Sequence, residues 1–317
     1  MMLRTLFCHL LFSLSLLSSA WAHAEAKLKI IVSVDWEGED LRSENLEAMQ
    51  AFRQDFPEVP LQHFLNAAYY TKKGAQAAQT TQAIRSVLRE GDEEGLHIHA
   101  WRSLIRASGV PFRTGPSFVG PEVDEANCGL DCGMDVALTA YTKDELRKVL
   151  QFSVKLLQKQ GFQRAQSFRA GGWQADAKVL DALTEEGFTL DSSATYAPYL
   201  KKAWGDYQLY PLVGKLWPQI QPTSQPYRFE GSSGKSLTEV PNNGCLADYM
   251  TGTQMLAAFR SNAQLLNQTQ ETPVYLSIGF HQETAADWLP RLRSGLKLIK
   301  DYAAKHKIAY EFVVGPL

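Results

Sequence analysis

Residues 28–34 form a continuous apolar run in which Lys29 is the only charge, the mark of a strand buried on both faces. The spacing then changes from every position to every third and fourth. Leu46, Met49, Phe52 and Phe56 place one apolar stripe on a helix over 44–56, which Pro57 and Pro60 end. The same reading predicts a strand over 61–65, a helix over 75–89 and a short strand over 95–98. Thr142 and Glu145 form a capping box that opens a helix running to about residue 160, where Gly161 stops it. Beyond it come a strand over 166–168, a helix over 175–186, strands over 188–190 and 274–278, helices over 253–266 and 285–305, and a last strand over 308–314. Strand and helix alternate six or seven times, which predicts a parallel sheet closed or nearly closed into a barrel.

Two stretches break this rhythm. Residues 102–141 hold Pro111, Pro116, Pro121, Cys128 and Cys132, and residues 196–245 are rich in Pro, Tyr, Trp and Gly. Both are expected to be irregular, and long loops inside a compact domain usually carry function. Trp204, Tyr207, Tyr210, Trp217 and Tyr227 in the second stretch suit either a sugar-stacking groove or packing between loops.

The N-terminus reads differently. Arg4, an apolar run over 6–17 and small residues at Ala20, Ala22 and Ala24 are the pattern of a secretory signal. The expected organisation is therefore a signal peptide over 1–24 and a single catalytic domain over 25–317. No later segment is apolar enough to span a membrane, so the mature chain is expected to have no span and to be periplasmic or secreted. The formal net charge is −2 over 317 residues, which offers no electrostatic case for nucleic acid. In an oxidising compartment Cys128, Cys132 and Cys245 allow one internal disulfide, Cys128–Cys132 or Cys132–Cys245. A zinc site on Cys128 and Cys132 lacks a second Cys or His pair at finger spacing.

Candidate chemistry gathers where predicted strands end. The segments are Ser33-Val34-Asp35-Trp36-Glu37-Gly38, Gly95-Leu96-His97-Ile98-His99, Phe168-Arg169-Ala170-Gly171-Gly172-Trp173, Asp191-Ser192-Ser193 and Ile278-Gly279-Phe280-His281. In barrels and open α/β sheets such ends build the active site. Asp35 and Glu37, two apart, point to one side of an extended chain, so one can bind a metal while the other takes a proton from water. His97 and His99 are related in the same way, and imidazole with carboxylate is a usual zinc ligand set. Arg169 is placed to orient a carboxylate, and the two glycines after it imply a sharp turn or a close approach. Asp191 with its serines also reads as a turn cap. His281 ends too apolar a run to be a surface residue and fits a general acid. His63 and His306 carry no pattern and read as structural, Glu283 and Asp287 read as helix-start residues, and Trp101 reads as site wall or core. Two carboxylates, three histidines and an arginine arriving together indicate a metal-assisted hydrolase.

The order Asp-x-Glu, His, Arg with glycines, Asp-Ser-Ser, Phe-His resembles the polysaccharide deacetylases of carbohydrate esterase family 4, over about residues 28–314. The resemblance implies a distorted (β/α) barrel of about seven parallel strands that holds one divalent metal, usually zinc, and removes N-acetyl groups from a glycan. It assigns Asp35 as the base, Glu37 and His97 as metal ligands, Arg169 as holder of the base, Asp191 as the acid orienting the last histidine, and His281 as the general acid. The family usually spaces its two histidines four apart. Here Trp101 stands at that position, so His99 is expected to supply the third ligand. The altered motif leaves open a non-catalytic carbohydrate-binding or scaffold protein on the same fold, and the resemblance of relatives of this fold to hydrolases of small amides leaves open an amidase of a small non-sugar amide.

Overall fold

The computed structural model describes residues 26–269 and 272–315. The expected signal segment over 1–24 lies outside them. Among the described residues there are nine strands: β1 Leu28–Asp35, β2 Leu61–Leu65, β3 Glu93–Ile98, β4 Ser167–Ala170, β5 Leu190–Asp191, β6 Tyr227–Glu230, β7 Ser236–Glu239, β8 Val274–His281 and β9 Tyr310–Val313. The helices are α1 Ser43–Asp55, α2 Ala77–Arg85, α3 Arg102–Ala107, α4 Lys143–Lys159, α5 Ala177–Glu185, α6 Lys201–Trp204, α7 Leu209–Leu216, α8 Gly252–Thr269 and α9 Ala285–His306.

The strands form one sheet in the order β6-β7-β5-β4-β3-β2-β1-β8. All neighbours are parallel except β6 and β7, an antiparallel hairpin. β1 is central and apolar on both faces. β8 pairs along its whole length, while on its other edge β2 takes Val32–Asp35 and β9 takes Leu28–Ile31. Residues 242–247 span the gap between the two ends of the curl: Asn242 N–H donates to the Ala194 carbonyl at 2.7 Å, and Gly244 and Ala247 N–H donate to Ser277 and Gly279 carbonyls at 2.8 Å. The result is a distorted (β/α) barrel, as expected, with eight parallel strands rather than about seven.

Most predicted elements lie within a few residues of their expected limits, because buried strands and amphipathic helices carry their own patterns. The capping box forms: the Thr142 side chain accepts from Glu145 N–H and the Glu145 side chain accepts from Thr142 N–H. The second irregular stretch is the main difference. It contains α6, α7 and the β6–β7 hairpin, whose exposed strand β6 lacks the apolar alternation that would have marked it. Cys128 and Cys132 form the disulfide, and Cys245 is buried and free. Among the described residues no helix is long and apolar enough to cross a membrane.

Candidate active site

The C-terminal ends of β4, β3, β2, β1 and β8 follow one another along the sheet, and register brings polar residues of neighbouring strands level. Asp35 is paired with His281 across β1 and β8, and His97 with Arg169 across β3 and β4. Trp36 is fully buried and turns away, its indole N–H donating to Nδ1 of His63 at 3.1 Å. That anchor leaves Asp35 and Glu37 on the cavity side, and it gives His63 the structural role expected of it.

Asp35 is buried against Arg169, whose Nη1 donates to Asp35 Oδ1 at 2.7 Å and to Ser33 Oγ at 2.8 Å. The rest of the guanidinium is held by Ser192, through its carbonyl at 2.9 Å and its hydroxyl at 2.8 Å. A buried charge is tolerable only when its donors are satisfied, and here the partners come from the ends of two strands, β1 and β5.

His97 and His99 each turn Nδ1 toward a backbone carbonyl, of Arg169 at 2.8 Å and of Met134 at 2.6 Å. Donation there leaves the lone pair on Nε2, and both Nε2 atoms are buried without a hydrogen-bond partner. They face Glu37, His97 Nε2 at 3.3 Å from Oε1 and His99 Nε2 at 2.6 Å from Oε2. Ligand atoms of Glu37, His97 and His99 lie within 4.8 Å of one another. Two orphaned imidazole nitrogens and a carboxylate converging on one point fit a divalent cation.

Gly171 and Gly172 explain themselves here. A Cβ at Gly171 would stand 2.6 Å from the His99 ring, and Gly172 adopts φ +59° with a Cβ position 2.8 Å from Phe118. Trp101, in the place where the resembling family carries a histidine, is buried and donates its indole N–H to the Glu37 carbonyl at 2.8 Å. It thus supports the metal-site loop from behind.

His281 Nε2 is 3.4 Å from Glu37 Oε1, and its Nδ1 is 3.0 Å from Asp248 Oδ1. Burial would lower its pKa, yet Asp248 and then Glu37 push it up to about 10. The expected partner, Asp191, is not there. Asp191 sits opposite Glu239 across β5 and β7, fully buried, and accepts from the Ser193 hydroxyl at 2.8 Å. Burial raises the carboxyl of Asp191, and burial together with the Asp191 charge raises that of Glu239. The Asp-Ser-Ser segment therefore serves Arg169 and the β4 end rather than His281, because β5 lies on the far side of β4 from β8.

Asp248 and Glu283 are site residues that sequence reasoning missed. Asp248 follows the apolar Cys245-Leu246-Ala247 in the barrel-closing segment, and an acid placed directly after buried residues was the available signal. Glu283, expected only to begin a helix, sends its carboxylate into the β1 loop.

The groups surround a cavity of about 70 Å³ walled by Phe118, Trp173, Trp204, Leu209 and Tyr249. Trp204 alone of the five candidate stacking aromatics lines it. Trp217 is buried and donates to the Trp173 carbonyl at 2.9 Å, Tyr207 is exposed with its ring 5.3 Å from that of Trp204, and Tyr227 is exposed elsewhere.

No protein-family model matches the chain, and no curated protein matches it significantly. Among solved structures, it is similar to one described as a probable polysaccharide deacetylase from Pseudomonas aeruginosa PAO1: 14% identity, 91% of this chain and 88% of that one, TM-score 0.52. It is also similar to the allantoinase Puue, at 15% identity over 91% of this chain and 88% of that one, TM-score 0.51. At these identities the likeness is one of fold, and the fold is the polysaccharide-deacetylase barrel that the motif order implied.

Proposed function

We propose that this protein is an exported, metal-dependent hydrolase that removes N-acetyl groups from an amino-sugar glycan. The observation that carries the reading is the convergence, at one end of the barrel, of a Glu37-His97-His99 donor set with Asp35 held by Arg169 and His281 held by Asp248. A pure binding protein has no need for a fixed base and a fixed acid beside such donors.

A divalent ion held by Glu37, His97 and His99, with zinc the best match to two imidazoles and a carboxylate, would supply Lewis acidity to the acetamide carbonyl and to a water. Asp35 takes the proton from the attacking water on the oxygen that Arg169 leaves free. Arg169 keeps that carboxylate ionised and aimed. His281 delivers a proton from Nε2 to the departing amine, and Asp248 steadies the imidazolium through Nδ1. Acetate and the free amine leave. Export rests on the N-terminal apolar run with its alanines and agrees with a disulfide at Cys128–Cys132.

One observation favours a second reading, an amidase of a small non-sugar amide. The cavity is about 70 Å³, whereas pockets that enclose drug-sized ligands run to roughly 300–1,000 Å³. A cavity of that size favours a small substrate over an enclosed sugar, which would sit at the mouth.

Elemental mass spectrometry of the purified mature protein, followed by a screen of N-acetylated glycans and small amides, tests both. About one zinc per chain with acetate release from glycans is expected. Release only from small amides selects the second reading. Absence of metal after zinc is added back and the excess removed overturns the mechanism.

A further inference from the structure

The loop after β1 is shaped to receive a carboxyl group. Gly38 has φ +81°, and a Cβ there would lie 2.8 Å from Asn66 Cγ, so only glycine fits. With residue 38 in that conformation, the N–H groups of Glu37 and Glu39 point the same way, which is the backbone concavity that binds anions. The group seated there is the Glu283 carboxyl: Oε2 accepts from Glu37 N–H at 3.0 Å and Oε1 from Glu39 N–H at 3.2 Å. The Tyr69 hydroxyl donates to the same Oε1. The Glu283 carbonyl accepts from Asn45 Nδ2 at 2.7 Å, and Asn45 Oδ1 accepts from Ala286 N–H at 3.0 Å at the start of α9. Glu283 follows His281 by two residues, so one short turn carries the acid candidate and clamps the ligand loop.

We infer that Glu283 is a positioning residue that fixes Glu37 for metal binding and ties its place to that of His281. The Glu37 main chain is held from both sides, its carbonyl by Trp101 and Asn66 at 2.8 and 2.9 Å and its N–H by Glu283. Only the last of these comes from the turn that carries His281. The inference rests on the reading of Glu37 as a metal ligand. Outer partners of metal ligands typically change metal affinity by about 10–100-fold.

The test is zinc affinity by chelator competition on Glu283→Ala, Glu283→Gln and Tyr69→Phe, with thermal melting of each apo form. Glu283→Ala is expected to weaken zinc binding about 10–100-fold, Glu283→Gln less because one acceptor oxygen remains, and Tyr69→Phe least. Glu283→Gln, which keeps the shape but loses one of the two acceptor oxygens, decides the matter if the alanine variant does not fold, and Tyr69→Phe is the control that keeps the whole loop contact. Where turnover is measurable, the loss falls on kcat more than on KM. Unchanged zinc affinity in the folded variants, even with a lower melting temperature, overturns the inference and leaves the metal site intact. Failure of the wild-type protein to bind zinc overturns the reading of Glu37 and the inference together.

Discussion

Asp248 holds Nδ1 of His281 at 3.0 Å while the other ring nitrogen faces Glu37 at 3.4 Å. The imidazole is thus fixed between an outer carboxylate and the metal-ligand candidate, in the orientation a general acid needs. Asp248→Asn is expected to lower kcat for deacetylation by roughly 10–100-fold with KM little changed, since the acid step itself is typically worth about 10²–10⁴. Asp191→Asn leaves His281 Nδ1 paired and is expected to act on stability instead. Steady-state kinetics and urea unfolding of the two variants separate these roles, and equal effects on kcat would refute the assignment to Asp248.

Asp35 and Arg169 form a buried pair with every stated donor of Arg169 engaged. Asp35→Asn preserves shape and is expected to abolish turnover by about 10²–10⁴-fold while metal is retained. Arg169→Met strands a buried carboxylate and is expected to cost about 3–5 kcal/mol, read from denaturant unfolding. Turnover surviving in Asp35→Asn would remove Asp35 from the chemistry.

Metal removal gives a third expectation. A cation that binds only the folded chain stabilises it by about 2.7 kcal/mol at a free concentration of about 100 Kd. Chelation should therefore lower the melting temperature of the wild-type protein and leave that of His99→Ala unmoved, because the ligand set is already broken. A chelator response that survives in both His97→Ala and His99→Ala would place the ion elsewhere.

Glu93 at the start of β3 gives a pH dependence away from the site. Burial pushes its carboxyl up to about 7, despite the Ser167 hydroxyl contacts at 2.7 and 2.8 Å. The unfolded chain ionises this group near 4.5 and the folded chain near 7, so the folded state holds the proton longer. Stability is then lost progressively as pH rises from about 4.5 to about 7 and is flat beyond. Glu93→Gln removes that loss, so its melting temperature should gain on wild type between pH 5 and pH 8. An identical difference at both values would show that Glu93 does not titrate there.

The candidate site was legible in so far as it lies on strand ends. Asp35 and His281 each close an apolar run, His97 and Arg169 lie near the ends of shorter predicted strands, and parallel register carries such ends to one rim. His99 and Glu37 were legible from two-residue spacing. Trp101 was not assignable between site wall and core, and its role as a donor to the Glu37 carbonyl depends on the loop path after β3. Asp248 and Glu283 had no period to reveal them.

The sequence by itself determined the barrel class, the strands that carry the chemistry and the residue types that meet. Continuous apolar runs and helical spacing are local, and burial can satisfy them in few ways. Only the tertiary structure decided which carboxylate serves which partner. Asp191 and Asp248 both follow buried segments and look alike in one dimension. The lateral order of the sheet puts Asp191 behind Arg169 and beside Glu239, while the barrel-closing segment brings Asp248 to His281. Hydrogen bonding reaches about 3 Å, so a partner is chosen by which strand lies next door, and that is a property of the whole fold.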